Sequence, residues 1–182
     1  MAAIRRMPIA FLFTAAMIAA IPAAARTTFR PQEKKDYLTD SEADKIRNAD
    51  TPSLRIKLFM SFAEDRMKKL QYELSRKTPD ARRDEMLNSL INAYVGCVDD
   101  ASDQIDEAKQ KQKDVHDALK SMAPKLKEYL DYLQKLDKDG SGPDFEAYKD
   151  TLEDAIAGTQ DAMDNAARAQ KEMLPPPVRR KQ

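Results

Sequence analysis

The side chains best suited to chemistry are few in this chain. Cys97 is the single cysteine and His116 the single histidine among 182 residues. One histidine cannot build a histidine-rich metal site or pass a proton to a second imidazole. Lys113 stands three residues before it, where a di-iron carboxylate bundle would carry glutamate. His116 paired with a methionine would hold a b-type haem only from a buried helix face. Val115 and Leu119 claim that face, so the imidazole is expected to meet solvent. Covalent haem needs a Cys-x-x-Cys-His run, which does not occur. Cys97 closes the run Ala93-Tyr94-Val95-Gly96-Cys97, with Ala101 one turn later. Small residues there admit a close neighbouring helix, and the thiol packs as a small hydrophobe. The sharper alternative is an intermolecular disulfide across a homodimer, since one cysteine cannot close an internal bridge.

A third group is Asp137, Asp139, Ser141 and Gly142, which match the first, third, fifth and sixth positions of a calcium-binding EF-hand loop. The twelfth position is Tyr148 in place of a bidentate glutamate, and Glu146 comes two residues early. The same letters serve a helix-to-helix turn. Asp137, Asp139 and Ser141 are metal candidates on that pattern alone. The charge-dense stretch from Asp99 to Lys120 mixes acid and base as a solvated helix face does, and no catalytic carboxylate pair stands out in it. No catalytic or cofactor-binding residue is assigned. The chain reads as non-enzymatic and without a cofactor, the alternative being a small haem- or metal-binding helical bundle.

Helical periodicity runs through the region that must position these groups. Thr39 and Glu42 have the spacing of a capping box, opening a short helix to about Ala49. Thr51-Pro52 starts a second helix to about Lys77, with Ile56, Phe59, Met60, Ala63, Met67, Leu70 and Leu74 on its apolar face, flanked by Leu58 and Phe62. Thr78-Pro79 repeats that start signal, and the tight link predicts an antiparallel hairpin. A long stripe follows towards Lys138, through Met86, Leu90, Ala93, Cys97, Ala101, Ile105, Ala108, Val115, Leu119, Met122, Leu126, Leu130 and Leu133. Between Ser102 and Asp114 only Ile105 and Ala108 can be buried. Further on, Pro124 removes a backbone donor and Ser121 can cap a new helix, which predicts a kink or break near Ser121–Pro124. The last helix opens at Ser141 to Asp144 and carries Phe145, Tyr148, Leu152, Ala155, Ile156, Thr159, Met163, Ala166 and Met173, before Leu174 and three prolines end it. Period-two alternation is absent. The expected fold is all-α: an elongated antiparallel bundle of three long helices, the middle one broken to give four, plus a short N-terminal helix. Left whole, the long helix would make a rod whose apolar seam needs a partner.

Arg5 and Arg6 precede an uncharged stretch from Met7 to Ala25, interrupted by Pro22 and closed by Ala23-Ala24-Ala25. Charged, apolar and small residues in that order describe a secretory signal peptide, with cleavage expected after Ala25. The expected organisation is a signal peptide over 1–25, a flexible leader over 26–38, one helical domain over 39–174 and a disordered Pro-rich basic tail over 175–182. Export places the protein in a periplasm or outside the cell, with no integral membrane segment left after cleavage. Cleavage leaves 157 residues with 29 basic and 31 acidic side chains. That length can bury a core, and the near-neutral balance argues against nucleic acid as a partner. Four glycines and no tryptophan count against Gly-rich phosphate loops and β-sandwiches. Arg179-Arg180-Lys181 make only a weak anionic-membrane contact.

Protein contact is the remaining role, as an envelope structural or adaptor component or a holdase-like binder, with a homodimer among the candidate assemblies. Phe59, Met60, Phe62 and Met67 form the expected partner surface, because methionine adapts to varied shapes. Leu38-Thr39-Asp40-Ser41-Glu42 resembles the Leu-Thr-x-x-Gln motif of small periplasmic stress chaperones, with glutamate in the glutamine's place. The resemblance covers these five residues in one copy. It implies an exported, helical, methionine-rich and charge-rich chaperone.

Overall fold

The computed structural model describes residues 37–76, 82–141 and 143–173, all within the unit Lys34–Gln182. The expected signal peptide, the expected leader up to residue 36, the Thr78-Pro79 start signal and the tail from residue 174 lie outside the described residues. Among the described residues there are five helices: α1 (Asp40–Arg47), α2 (Pro52–Ser75), α3 (Arg83–Gln110), α4 (His116–Asp139) and α5 (Pro143–Glu172). No strand occurs among the described residues.

Local chemistry sets the starts. The Thr39 hydroxyl accepts from the Glu42 amide at 3.2 Å while the Glu42 carboxylate accepts from the Thr39 amide at 2.9 Å, so the capping box forms in full. Thr51 accepts from the Leu54 amide at 3.2 Å, with Pro52 as the first helical residue. Asp114 accepts from the His116 amide at 3.0 Å and so opens α4.

The long stripe is indeed broken, but the break lies at Lys111–Val115 and not near Ser121–Pro124. Lys113 N–H reaches the Ala108 carbonyl at 2.8 Å and Gln112 N–H reaches that of Lys109 at 3.2 Å. With Gln112 in the left-handed region at φ 51°, this is a Schellman ending. Pro124 sits inside α4 without ending it. Its ring and Lys120, whose carbonyl loses the missing N–H, both face solvent, so water can satisfy that oxygen. Ser121 gives its hydroxyl back to the Ala118 carbonyl at 2.8 Å and caps nothing.

The long helices close a ring in the order α2, α3, α5, α4, with α1 against α2. Arg55 reaching Gln104 and Arg83 reaching the Leu74 and Arg76 carbonyls make α2 and α3 antiparallel. Asn88 to Ala147, Tyr94 to Thr159 and Lys109 to Glu172 climb together, so α3 and α5 run parallel. It follows that α2 and α4 are also parallel and that the 111–115 link crosses a diagonal of the ring. The expected antiparallel arrangement holds within the two hairpins, α2/α3 and α4/α5, and fails between them.

The core follows the expected faces of α2 and α4 closely. Val115, Leu119, Met122, Leu126, Leu130 and Leu133 are all buried. In the first half of α3 the register shifts by one: Leu87, Ile91, Tyr94 and Val98 fill the interior, while Met86, Leu90 and Ala93 are partly buried. On α5 the interior stripe runs through Ala155, Thr159, Ala162, Ala166 and Ala169, with Met163 and Met173 at its edge. Small side chains there let α3 and α5 approach closely.

Candidate functional site

The residues with reactive side chains are kept apart. Cys97 is fully buried in the core, which removes the sulfur from the surface that an intermolecular disulfide needs. The close neighbour admitted by Gly96 is the Tyr37 ring and not a helix, for a Cβ on Gly96 would come within 2.8 Å of it. His116 stands at the start of α4, partly exposed, with its Nδ1 at 3.0 Å from the Asp114 carboxylate. That carboxylate is held below its ordinary value chiefly by the His116 backbone amide, then by the His116 ring. The ring is therefore engaged at a helix end and does not project into the bundle where a haem would lie. Asp137 and Asp139 fall in the last turn of α4, not in a loop. Two residues apart on a helix, their carboxylates diverge by about 200°, so with Ser141 they do not form the expected ligand set. Among the described residues no group of three His, Cys, Asp or Glu side chains is placed to hold a metal ion.

Phe59, Met60, Phe62 and Met67 are each buried, Met67 almost completely. The expected partner surface is thus core in the folded chain. The methionines fill the interior of the ring, and Phe59 and Phe62 pack edge to face at 6.5 Å. Leu54 and Tyr72 are the large apolar side chains left exposed among the described residues.

Two groupings absent from the sequence reading emerge. The first fastens the N-terminal segment to the bundle. Arg66, on α2 and 6 % exposed, donates from both terminal nitrogens to the two oxygens of Glu42 on α1, at 2.5 and 2.6 Å. Its Nη2 also donates to the Tyr37 carbonyl at 3.1 Å. This planar fork is the geometry at which arginine binds carboxylate best. The Arg66 hydrogen bonds draw Glu42 down to about 2 despite its partial burial. The Tyr37 hydroxyl donates to the Asp100 carboxylate on α3, and burial, helped by Asp103, pushes Asp100 up to about 7. Arg55 Nε donates to the Ala49 carbonyl at 3.1 Å and fastens the other end. Leu38, assigned to the leader by the sequence, is buried here, and Tyr37 packs on the same core.

The second is an open groove of about 820 Å³ between α3 and α5, where Asp99, Asp103, Asp106 and Asp161 face Lys109 and Arg168. Burial, Asp103 and Asp161 together raise Asp99 above its ordinary value. Lys109 pairs with Glu172 at 2.8 Å across the mouth. The groove lining is mostly charged and polar, with Gly158 and Ala162 on the α5 side.

The chain matches no family model, no curated protein and no solved structure.

The signal for the N-terminal fastening was in the sequence. Arg66 falls at i+4 from Phe62 and i−4 from Leu70, on the apolar stripe of α2. A charge on that stripe predicts a partner for it without saying which acidic residue supplies it. Asp99, Asp103 and Asp106 share one face of α3 at spacings of four and three, but the α5 side of the groove, with Asp161 and Arg168, joins them only through the parallel packing of helices about sixty residues apart.

Proposed function

We propose that the protein is an exported, non-enzymatic helical bundle that works by specific protein contact, in the manner of an adaptor or structural component of the envelope. The burial of Phe59, Met60, Phe62 and Met67 carries the choice of adaptor over holdase. A holdase binds many unfolded chains through standing apolar surface; here the apolar residues suited to that are core, and the open surfaces are charged. The spread of Cys97, His116 and the Asp137 region over separate parts of the bundle supports contact over chemistry. No helix among the described residues is long and apolar enough to cross a membrane. Export rests on the order of residues from Arg5 to Ala25.

Crosslinking in the native host, followed by affinity capture of the tagged chain and mass spectrometry, tests the proposal. One stoichiometric partner supports the adaptor role. A broad set of unrelated exported proteins overturns it in favour of a holdase, and recovery of the protein alone overturns both.

A further inference from the structure

The way α1 is attached suggests what kind of partner the bundle takes; the step rests on the protein-contact reading above. Arg55 and Arg66 both reach the N-terminal segment, and Phe59 and Phe62 stand between them on one helical stripe of α2, at spacings of four, three and four. Opposite them Glu42 and Ile46 share one face of α1, flanked by Leu38 just before the Thr39 N-cap and by Ala49 just past the Asn48 C-cap. Leu38, Ile46 and Ala49 are buried, and Glu42 fills the Arg66 fork. The segment thus lies on α2 as a peptide lies in a helix-binding groove, with aliphatic anchors and one charged specificity contact.

Two further observations mark this docking as reversible. A helix of 8 residues is well below the ~12–15 residues at which isolated helices begin to hold in water, so α1 depends on its site. The α2, α3, α5, α4 ring closes through contacts among its own four helices, so α1 can leave without opening it. We propose that α1 is a displaceable latch, and that the Phe59–Phe62–Arg66 stripe beneath it is the binding site for an amphipathic helix of a partner protein. The incoming helix repeats the pattern of α1: a carboxylate with an aliphatic residue four further on, and an apolar residue just outside each end. A partner helix of more than four turns, above about 15 residues, brings helical stability that α1 lacks, and so displaces it.

The test uses the full chain and a labelled synthetic peptide with the sequence Tyr37 to Asp50. In native-state hydrogen exchange the wild-type α1 amides are expected to open at least about tenfold more often than the core amides of α2 to α5. Glu42→Gln weakens the latch in cis, and this variant is expected to bind the peptide at least about tenfold more tightly than wild type, the loss of one charged hydrogen-bond pair. Arg66→Met is expected to abolish binding in either background, with circular dichroism reporting whether the bundle stays folded. Exchange of α1 only together with the core overturns the latch and needs no variant. Equal peptide binding by wild type and Glu42→Gln, or binding by neither, also overturns it. A concentration-dependent dimer in which two chains trade α1 overturns the partner-helix occupant in favour of a second copy. Failure to capture a partner in the host would sink the adaptor reading and leave the exchange and peptide results standing.

Discussion

The contact most informative about how α3 and α5 hold together is the hydroxyl pair in the core. Thr159 gives its single hydroxyl hydrogen to the Ala155 carbonyl at 2.6 Å, so across the 2.8 Å gap to Tyr94 the tyrosine must be the donor. Both residues are about 1 % exposed, and burial raises the Tyr94 hydroxyl well above its ordinary value. The two single deletions are therefore unequal. Tyr94→Phe leaves Thr159 with its donor satisfied and one lone pair unused, at a cost of about 1 kcal/mol. Thr159→Val keeps the shape but strands the Tyr94 O–H without an acceptor, at a cost of about 2–3 kcal/mol. The double variant strands nothing and should cost about 1 kcal/mol, so the coupling is about 2–3 kcal/mol. Urea unfolding at pH 7, followed by far-ultraviolet circular dichroism, measures all three; for a domain of this size each kcal/mol also moves the melting temperature by roughly 2–4 °C. Additive costs, or a larger loss for Tyr94→Phe than for Thr159→Val, would refute the assignment of donor and acceptor.

Other expectations follow from the helix ends and the latch. Pro124→Ala restores an N–H and a good helix former on the exposed face of α4, and should stabilise the bundle by about 1–3 kcal/mol in the same urea assay. Gln112→Gly relieves a left-handed conformation in a non-glycine residue and should stabilise by up to about 1 kcal/mol, whereas Gln112→Val should destabilise by a similar amount. Glu42 is held at about 2 against an ordinary 4.5; because its value is lowered, its contribution is complete above about pH 4.5 and is lost as pH falls through about 2. After allowance for the solvent that reaches the pair, that contribution is about 1–2 kcal/mol. Protection factors of the α1 amides should fall over that interval in wild type, and Glu42→Gln should remove the dependence.

The all-helical class was legible because the apolar residues recur at three and four from Ile56 onwards. The face of α4 was largely readable, since one leucine-rich stripe stands alone there, though the sequence reading left out Ala118 and Tyr129 beside it. In the first half of α3 two stripes compete, Met86, Leu90 and Ala93 against Leu87, Ile91 and Tyr94, and sequence does not say which one neighbouring helices will cover. The break was misplaced for a similar reason. Pro124 is a strong local signal, but a helix tolerates it where the freed carbonyl meets water. The stretch from Lys109 to Asp114 offers nothing to bury, and there the chain turned. Phe59 and Phe62 looked like a surface because the sequence does not say where the 8-residue α1, a short capped helix, will pack. The pairing of Arg66 with Glu42 spans 24 residues and the pairing of Tyr37 with Asp100 spans 63; neither distance is visible to a periodicity argument.

The diagonal link has a consequence for how the chain is assembled. Polar contacts between the two hairpins join residues separated by 59, 61, 63 and 65 positions, a nearly constant offset, as though one layer of about sixty residues had been laid on another in step. Each layer closes through local contacts of its own and offers the other a complete face. The five residues from Lys111 to Val115 therefore decide only which copy of the second layer the first one meets. Shortening or stiffening that strap would leave both faces intact and drive each to seek its complement on a neighbouring chain, giving an exchanged pair with the same interior.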